Sequence, residues 1–332
     1  MNTPNNKEKA SATHWASIDE HTSVSGIRFL FWIYKILGRI PFRIFLYPVV
    51  IYYWATRPSA RRASHNYLSN LQSFNGSLGH HPSWKDTIWH FISFAETILD
   101  KLLAMTGGIS VRETQISGIT SLDQMRENGR GAVIVTAHVG CLELCRITAE
   151  NHPNAKLNVL VHTKHAQRFN RLLRRLRPES EVNLIQVTEV TPATAMMLAD
   201  KVDNGEFLAI AGDRIPVSNG RTVTSSFLGN RCELPVGPYV LASLLKCPLF
   251  AICCVRRASD AQYVVQIQHL VSRVELPRNR REKALQVYAQ QFASWLEVVV
   301  SASPYSWFNF FEFWSQGLSQ FYTKSKDRND EY

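Results

Sequence analysis

Six short, nearly unbroken apolar runs punctuate the middle of this chain: AVIVTA (132–137), LNVLVH (157–162), NLIQV (183–187), FLAIAG (207–212), PLFAICCV (248–255) and YVVQIQ (263–268). A strand that is apolar on one side can wet the other. A strand apolar on both must be covered on both. Helical patterns lie between several of the runs, at 141–151, 165–177, 192–204 and 236–246. This alternation predicts an α/β fold: a mostly parallel sheet with helices on both faces. An amphipathic helix is predicted over 281–301, followed by the aromatic segment PYSWFNFFEFW (304–314).

Four regions follow from the pattern. Residues 1–22 are polar and predicted to be disordered, with no signal-peptide pattern. Residues 23–106 read as helical throughout, 107–315 as the α/β domain, and 316–332 as a polar tail. Within the helical region, the loop pair His80–His81 has no accompanying ligand set, so no metal is predicted there.

Residues 27–56 are the most apolar and aromatic part of the chain, yet Lys35, Arg39 and Arg43 interrupt them. The longest uncharged run, Ile44 to Thr56, has thirteen residues and contains Pro48, against the roughly 20 that a spanning helix needs. Cations flank both ends, with Arg57, Arg61 and Arg62 on the far side. Tyr47, Tyr52, Tyr53 and Trp54 are amphipathic aromatics suited to headgroup depth. The expectation is a membrane-docking segment that lies in the interface or dips in and returns. A single span with Arg43 snorkelling to the surface and a buried helical hairpin are the alternatives.

The formal charge of +10 suits an anionic partner: nucleic acid, a bilayer surface or a phosphorylated substrate. The basic stretch RFNRLLRRLRP (168–178) prompts a nucleic-acid or membrane-surface reading without catalysis. No zinc finger, helix-turn-helix or RNA-binding aromatic signature accompanies it, so no nucleic-acid partner is expected. The six cysteines form no CxxC pair and fall mostly in apolar segments, as reduced core residues do.

Two ionisable residues stand where the chain otherwise builds core. His138 follows the AVIVTA run, and Glu143 lies in the helical pattern CLELCRITAE. The carboxyl end of such a strand is where open α/β sheets place ligands. Gly140 permits a turn that would let Glu143 reach back to the imidazole. A carboxylate on one ring nitrogen fixes the tautomer and leaves the other as a general base. The helix N-terminus beside it offers N–H groups for an oxyanion. No GxSxG elbow is present, which disfavours a hydrolase and any covalent intermediate.

The His138–x4–Glu143 spacing resembles the H-x4-D/E signature of the glycerolipid and lysophospholipid acyltransferase superfamily. A second block, residues 207–243, resembles the bacterial lipid A biosynthesis (lauroyl/myristoyl) acyltransferase family through Asp213 at a strand end, Phe227 to Gly229, and Pro235 to Gly237. The resemblance implies an O-acyltransferase without a cofactor or metal. It would move a fatty acyl group from an acyl carrier protein or coenzyme A thioester to a lipid or glycolipid hydroxyl. It would work on the cytoplasmic side of the inner membrane, with His138 as base oriented by Glu143. By the same resemblance Asn170, Arg171, Asp213, Arg214, Gly229, Pro235 and Gly237 are candidate substrate-binding residues. G-D-R-I-P stands where the wider superfamily has E-G-T-R, a departure at Arg214. The segment WFNFFEFW also resembles a branch associated with aryl polyene pathways, which implies an acceptor other than lipid A. An aromatic plug against the catalytic domain is the purely structural alternative.

Overall fold

The computed structural model describes residues 32–106, 114–118, 120, 129–148, 156–161, 182–186, 191–215, 220–257 and 262–315. Three helices come first: α1 (Arg39–Thr56), α2 (Pro58–Asn75) and α3 (Trp84–Thr106). Pro58, whose missing N–H costs nothing at a helix start, opens α2. Asp86 Oδ2 closes the first turn of α3 by accepting from both the backbone N–H and the hydroxyl of Ser83, at 2.7 Å each. The other Asp86 oxygen bonds the Tyr305 hydroxyl and His80 Nε2. His80 thus helps to fasten a loop.

Among the described residues, seven strands form one sheet: β1 (Thr114–Ser117), β2 (Val133–Thr136), β3 (Leu157–Val161), β4 (Val182–Gln186), β5 (Phe207–Ala211), β8 (Leu249–Arg256) and β9 (Tyr263–Val271). Their order is β1-β9-β8-β2-β5-β3-β4. Every neighbouring pair is parallel except β8 with β9. The six apolar runs are therefore strands of a mostly parallel sheet, as the alternation predicts. The expected helix at 165–177 lies outside the described residues.

Residues 222–235, which were not read as strands, form an antiparallel hairpin of β6 (Thr222–Phe227) and β7 (Asn230–Pro235). Its turn, Leu228–Gly229, has positive φ at both residues (52° and 74°), the type I′ geometry that matches strand twist. Leucine disfavours that conformation. Here Glu297 anchors it by accepting the Leu228 N–H at 2.7 Å.

The period of two along the strands sorts the core into two layers. Val133, Val135, Leu208, Ile210, Leu249, Ala251 and Cys253 face the side covered by α4 (Pro192–Asp203), α5 (Gly237–Leu245), α6 (Arg281–Ala302) and the hairpin. Ala132, Ile134, Ala209, Phe250, Ile252 and Cys254 face the other side, where Phe42, Leu46 and Val50 of α1 and Leu99 and Leu103 of α3 pack. Helices α1 and α3 thus cover one face of the sheet, whereas Tyr67, Leu68 and Leu71 of α2 join the cluster on the opposite side. All six cysteines are buried, and none forms a disulfide among the described residues.

Arg43 of helix α1 is paired within the fold while its side chain stays 37 % exposed. Its guanidinium forms a two-pronged pair with Glu96 of α3 (Nε–Oε1 2.7 Å, Nη2–Oε2 3.0 Å), and Arg256 of β8 joins the same carboxylate at 3.2 Å. Such a fork fixes orientation as well as distance. Among the described residues, no helix is long and apolar enough to cross a membrane.

Candidate active site

Strands β2 and β5 are parallel neighbours, so their carboxyl ends open at the same edge of the sheet. His138 lies just beyond β2, and Asp213 just beyond β5. Asp213 Oδ1 bonds His138 Nδ1 at 2.8 Å, while Oδ2 accepts the His138 backbone N–H at 2.8 Å. Oδ2 also accepts the indole N–H of Trp307 at 3.0 Å. The carboxylate is thus held by three donors. Its side chain is 2 % exposed against 37 % for the imidazole. With Nδ1 facing an acceptor-only carboxylate, the neutral ring carries its proton there and presents a bare Nε2.

This corrects the expected His138–Glu143 contact. Glu143 Oε1 pairs with Lys101 of α3 at 3.0 Å, and its Oε2 is near the Cys141 thiol at 3.6 Å. The reason is local geometry. Residues Leu142–Thr148 form a 3₁₀ helix rather than the expected α-helix, and Gly140 is pinned beneath β8. Gly140 has φ +59°, and a Cβ there would stand 1.9 Å from the Cys254 carbonyl oxygen. The expected turn at Gly140 is therefore present, but the helix leaves it toward α3.

Two of the N–H groups leading into the helix are also engaged. The Gly140 N–H bonds the Ser306 carbonyl, and the Cys141 N–H bonds the Cys254 carbonyl, at 2.8 Å each. Positive charge beside His138 comes instead from Arg214 and Lys101, and both oppose protonation of the ring. Arg214 bonds the Phe308 carbonyl at 3.3 Å and lies over the Phe311 ring.

These charges set the protonation states. Burial lowers the His138 pKa first, Arg214 lowers it further, and Asp213 only partly offsets them. Burial works against the Asp213 anion, but the His138 ring, Arg214 and the backbone N–H hold its pKa at about 2. At neutral pH the pair is a neutral imidazole on a carboxylate.

The carboxyl-terminal segment completes the site. Trp307 pairs as an antiparallel bridge with Val139, and the Phe308 N–H donates to the His138 carbonyl at 2.8 Å. Trp307 is fully buried, with Tyr67, Phe227 and Phe313 at ring-centroid distances of 5.0 Å. The expected aromatic plug is therefore present, and it touches the candidate dyad. Sequence reading missed Trp307 as a site residue, because its indole donor cannot be told from a packing ring by composition.

The remaining candidates are spread out. Gly229 lies in the hairpin turn, Pro235 ends β7 and Gly237 opens α5. Phe227, two residues before Gly229, joins that motif to Trp307 by ring contact. Asn170 and Arg171 lie outside the described residues.

A buried histidine fastens the plug. His90 accepts from the Ser64 hydroxyl at Nδ1 (2.9 Å) and donates from Nε2 to the Trp307 carbonyl (2.8 Å). Burial lowers its pKa to about 4, opposed weakly by the Trp307 bond. The folded state therefore holds His90 neutral, whereas the unfolded chain takes up a proton near pH 6.5. Stability is full above that pH and falls as pH drops toward 4, by about 3 kcal/mol from this residue. His138 adds a loss of the same sign. His90→Gln is expected to flatten the fall in melting temperature between pH 7 and pH 4.5, read by circular dichroism.

The family model for bacterial lipid A biosynthesis acyltransferases matches residues 101–316, which span α3 from Lys101, the whole sheet and the Trp307 segment. The chain belongs to this family. It is an acyltransferase, and the family transfers acyl groups to a lipid acceptor. No curated protein matches the chain. The match begins at the lysine that pairs with Glu143 and closes just beyond the aromatic plug, so it covers His138, Asp213, Arg214, Trp307 and Phe308.

Proposed function

We propose that the chain is a membrane-associated O-acyltransferase in which His138 activates an acceptor hydroxyl against a fatty acyl thioester. One observation carries the reading: an imidazole at a strand end with Nδ1 held by a buried carboxylate and Nε2 left bare. Nε2 takes the hydroxyl proton as the oxygen attacks the thioester carbonyl. The tetrahedral oxyanion collapses, the thiolate leaves, and the imidazolium returns the proton to sulfur. Arg214 and Lys101 supply the positive charge that the oxyanion calls for. Glu143 keeps a place in the site by holding Lys101. Cys141 is a poor nucleophile, since burial pushes its thiol pKa far up.

The thioester is carried by acyl carrier protein or coenzyme A, and the acceptor is a lipid A-type glycolipid hydroxyl. The aromatic terminus leaves an aryl polyene acceptor as the second reading. The test incubates each donor with lipid extract and follows thiol release and lipid mass together. Equal release of thiol and gain of one acyl group by a lipid is expected. Thiol release without any acylated lipid would mean transfer to water and defeat the reading.

The docking region within residues 23–106 supplies the membrane contact, on the cytoplasmic side of the inner membrane. Helix α1 buries only the stripe Phe42, Leu46 and Val50, leaving Ile40 75 % and Ile44 64 % exposed. Trp84 and Trp89 of α3 are exposed as well. An apolar face beside Arg57 and Arg62 suits an interfacial helix on anionic lipid. Replacing both isoleucines (Ile40→Glu with Ile44→Glu) is expected to weaken vesicle binding by about tenfold or more. Unchanged co-sedimentation with anionic vesicles would place the anchor elsewhere.

A further inference from the structure

Asp213 is held from two sides. The imidazole and backbone of His138 approach it from β2, and the indole of Trp307 approaches from the carboxyl-terminal segment. Residues 304–311 contain no ionisable side chain except Tyr305, and that hydroxyl donates to Asp86. The segment thus brings one neutral donor to the carboxylate and no charge.

Trp307 cannot easily turn away. Its ring is enclosed by Tyr67, Phe227, Phe313 and Trp314, and its carbonyl is bonded by His90. The backbone of the same segment clamps His138 and Gly140 through Phe308 and Ser306. The indole donor is therefore fixed in the frame that fixes the imidazole.

We propose that Trp307 is a positioning residue for acyl transfer, whose indole N–H locks Asp213 in the orientation that keeps the His138 proton on Nδ1. This inference rests on the reading of His138 as the base. A carboxylate oxygen that accepts from an indole shares its negative charge with that donor, and it becomes a weaker acceptor toward the imidazole. Removing the donor strengthens the pull of Asp213 on the ring and frees the carboxylate to rotate. The other groups acting on His138 are Arg214 beyond β5 and Lys101 on α3, both cations, with Glu143 acting through Lys101. None of them is changed by substitution at 307.

The test is an NMR titration of isotope-labelled histidine in the full chain, with His138 assigned through His138→Gln. Trp307→Phe is expected to raise the His138 midpoint by about 0.5 to 1 pH unit. In the Asp213→Asn background the same change should produce no shift, because the effect runs through Asp213. Turnover should fall about tenfold with KM within about twofold, as for an interaction felt in the transition state. Should Trp307→Phe fail to fold, benzothienylalanine at 307 keeps the shape and replaces the N–H by sulfur. An unmoved midpoint in a folded variant, or an equal shift in the Asp213→Asn background, overturns the proposal. The titration needs no substrate, so its failure is separate from that of the transfer reading. His138→Gln with wild-type transfer would remove the base and leave the titration result standing.

Discussion

His138→Gln is expected to abolish acyl transfer, lowering turnover by roughly 10³-fold or more while leaving the fold in place. General-base assistance by a positioned side chain contributes on the order of 10² to 10⁴. The cysteines offer no alternative nucleophile, since all six are buried. Stability should survive because a glutamine amide can still donate to Asp213. The backbone bonds of His138 to Asp213 and Phe308 do not involve the ring. Lipid mass spectrometry reads the activity and circular dichroism the fold. Wild-type transfer by this variant would remove the proposed chemistry.

Asp213→Asn should cost nearly as much, about 10² to 10⁴ in turnover. All three groups that point at Asp213 are donors: Nδ1–H, the His138 backbone N–H and the indole N–H. A carboxylate accepts on both oxygens, whereas an asparagine must set its own NH₂ against one of the donors. The ring can relieve that clash by moving its proton to Nε2, which is the nitrogen that must be bare. The wild-type acid limb also follows from the pair. Asp213 stays ionised down to about pH 2. His138 therefore sets the limb, at a midpoint below the ordinary imidazole value of about 6.5. Initial rates taken before acid unfolding would locate it, and a limb above pH 6.5 would contradict the electrostatics described.

Much of the sheet was legible in the sequence, and so was His138 at a strand end, half of the proposed dyad. Strands apolar on both sides are covered on both sides, and this holds for Val133 with Val135 on one face and Ala132 with Ile134 on the other. His138 at a strand end followed by Gly140 points to the edge where the proposed site lies. The partner carboxylate was misread because Glu143 is near in sequence, whereas Asp213 is near only once β2 and β5 are known to be neighbours. Strand order is a tertiary fact that local periodicity does not encode. A signal did exist, since FLAIAGD ends in its ionisable residue much as AVIVTAH does. The strands flanking the F-x-G turn at Phe227 to Gly229 were missed although Val223, Ser225 and Phe227 alternate inward, because TVTSSF and NRCELP are too polar to stand out beside the six apolar runs. Trp307 was anticipated as packing, and only the direction of its N–H separates that from a role in the site.

The pairing of His138 with Asp213 rather than Glu143 is tested most directly by NMR of isotope-labelled histidine in three proteins: wild type, Asp213→Asn and Glu143→Gln. The wild-type His138 ring should carry its proton on Nδ1. Its midpoint should fall in Asp213→Asn, because an anion that favours imidazolium is lost, and move less than half as far in Glu143→Gln. A resting Nε2–H tautomer, or a shift in Glu143→Gln as large as that in Asp213→Asn, would contradict the assigned pair.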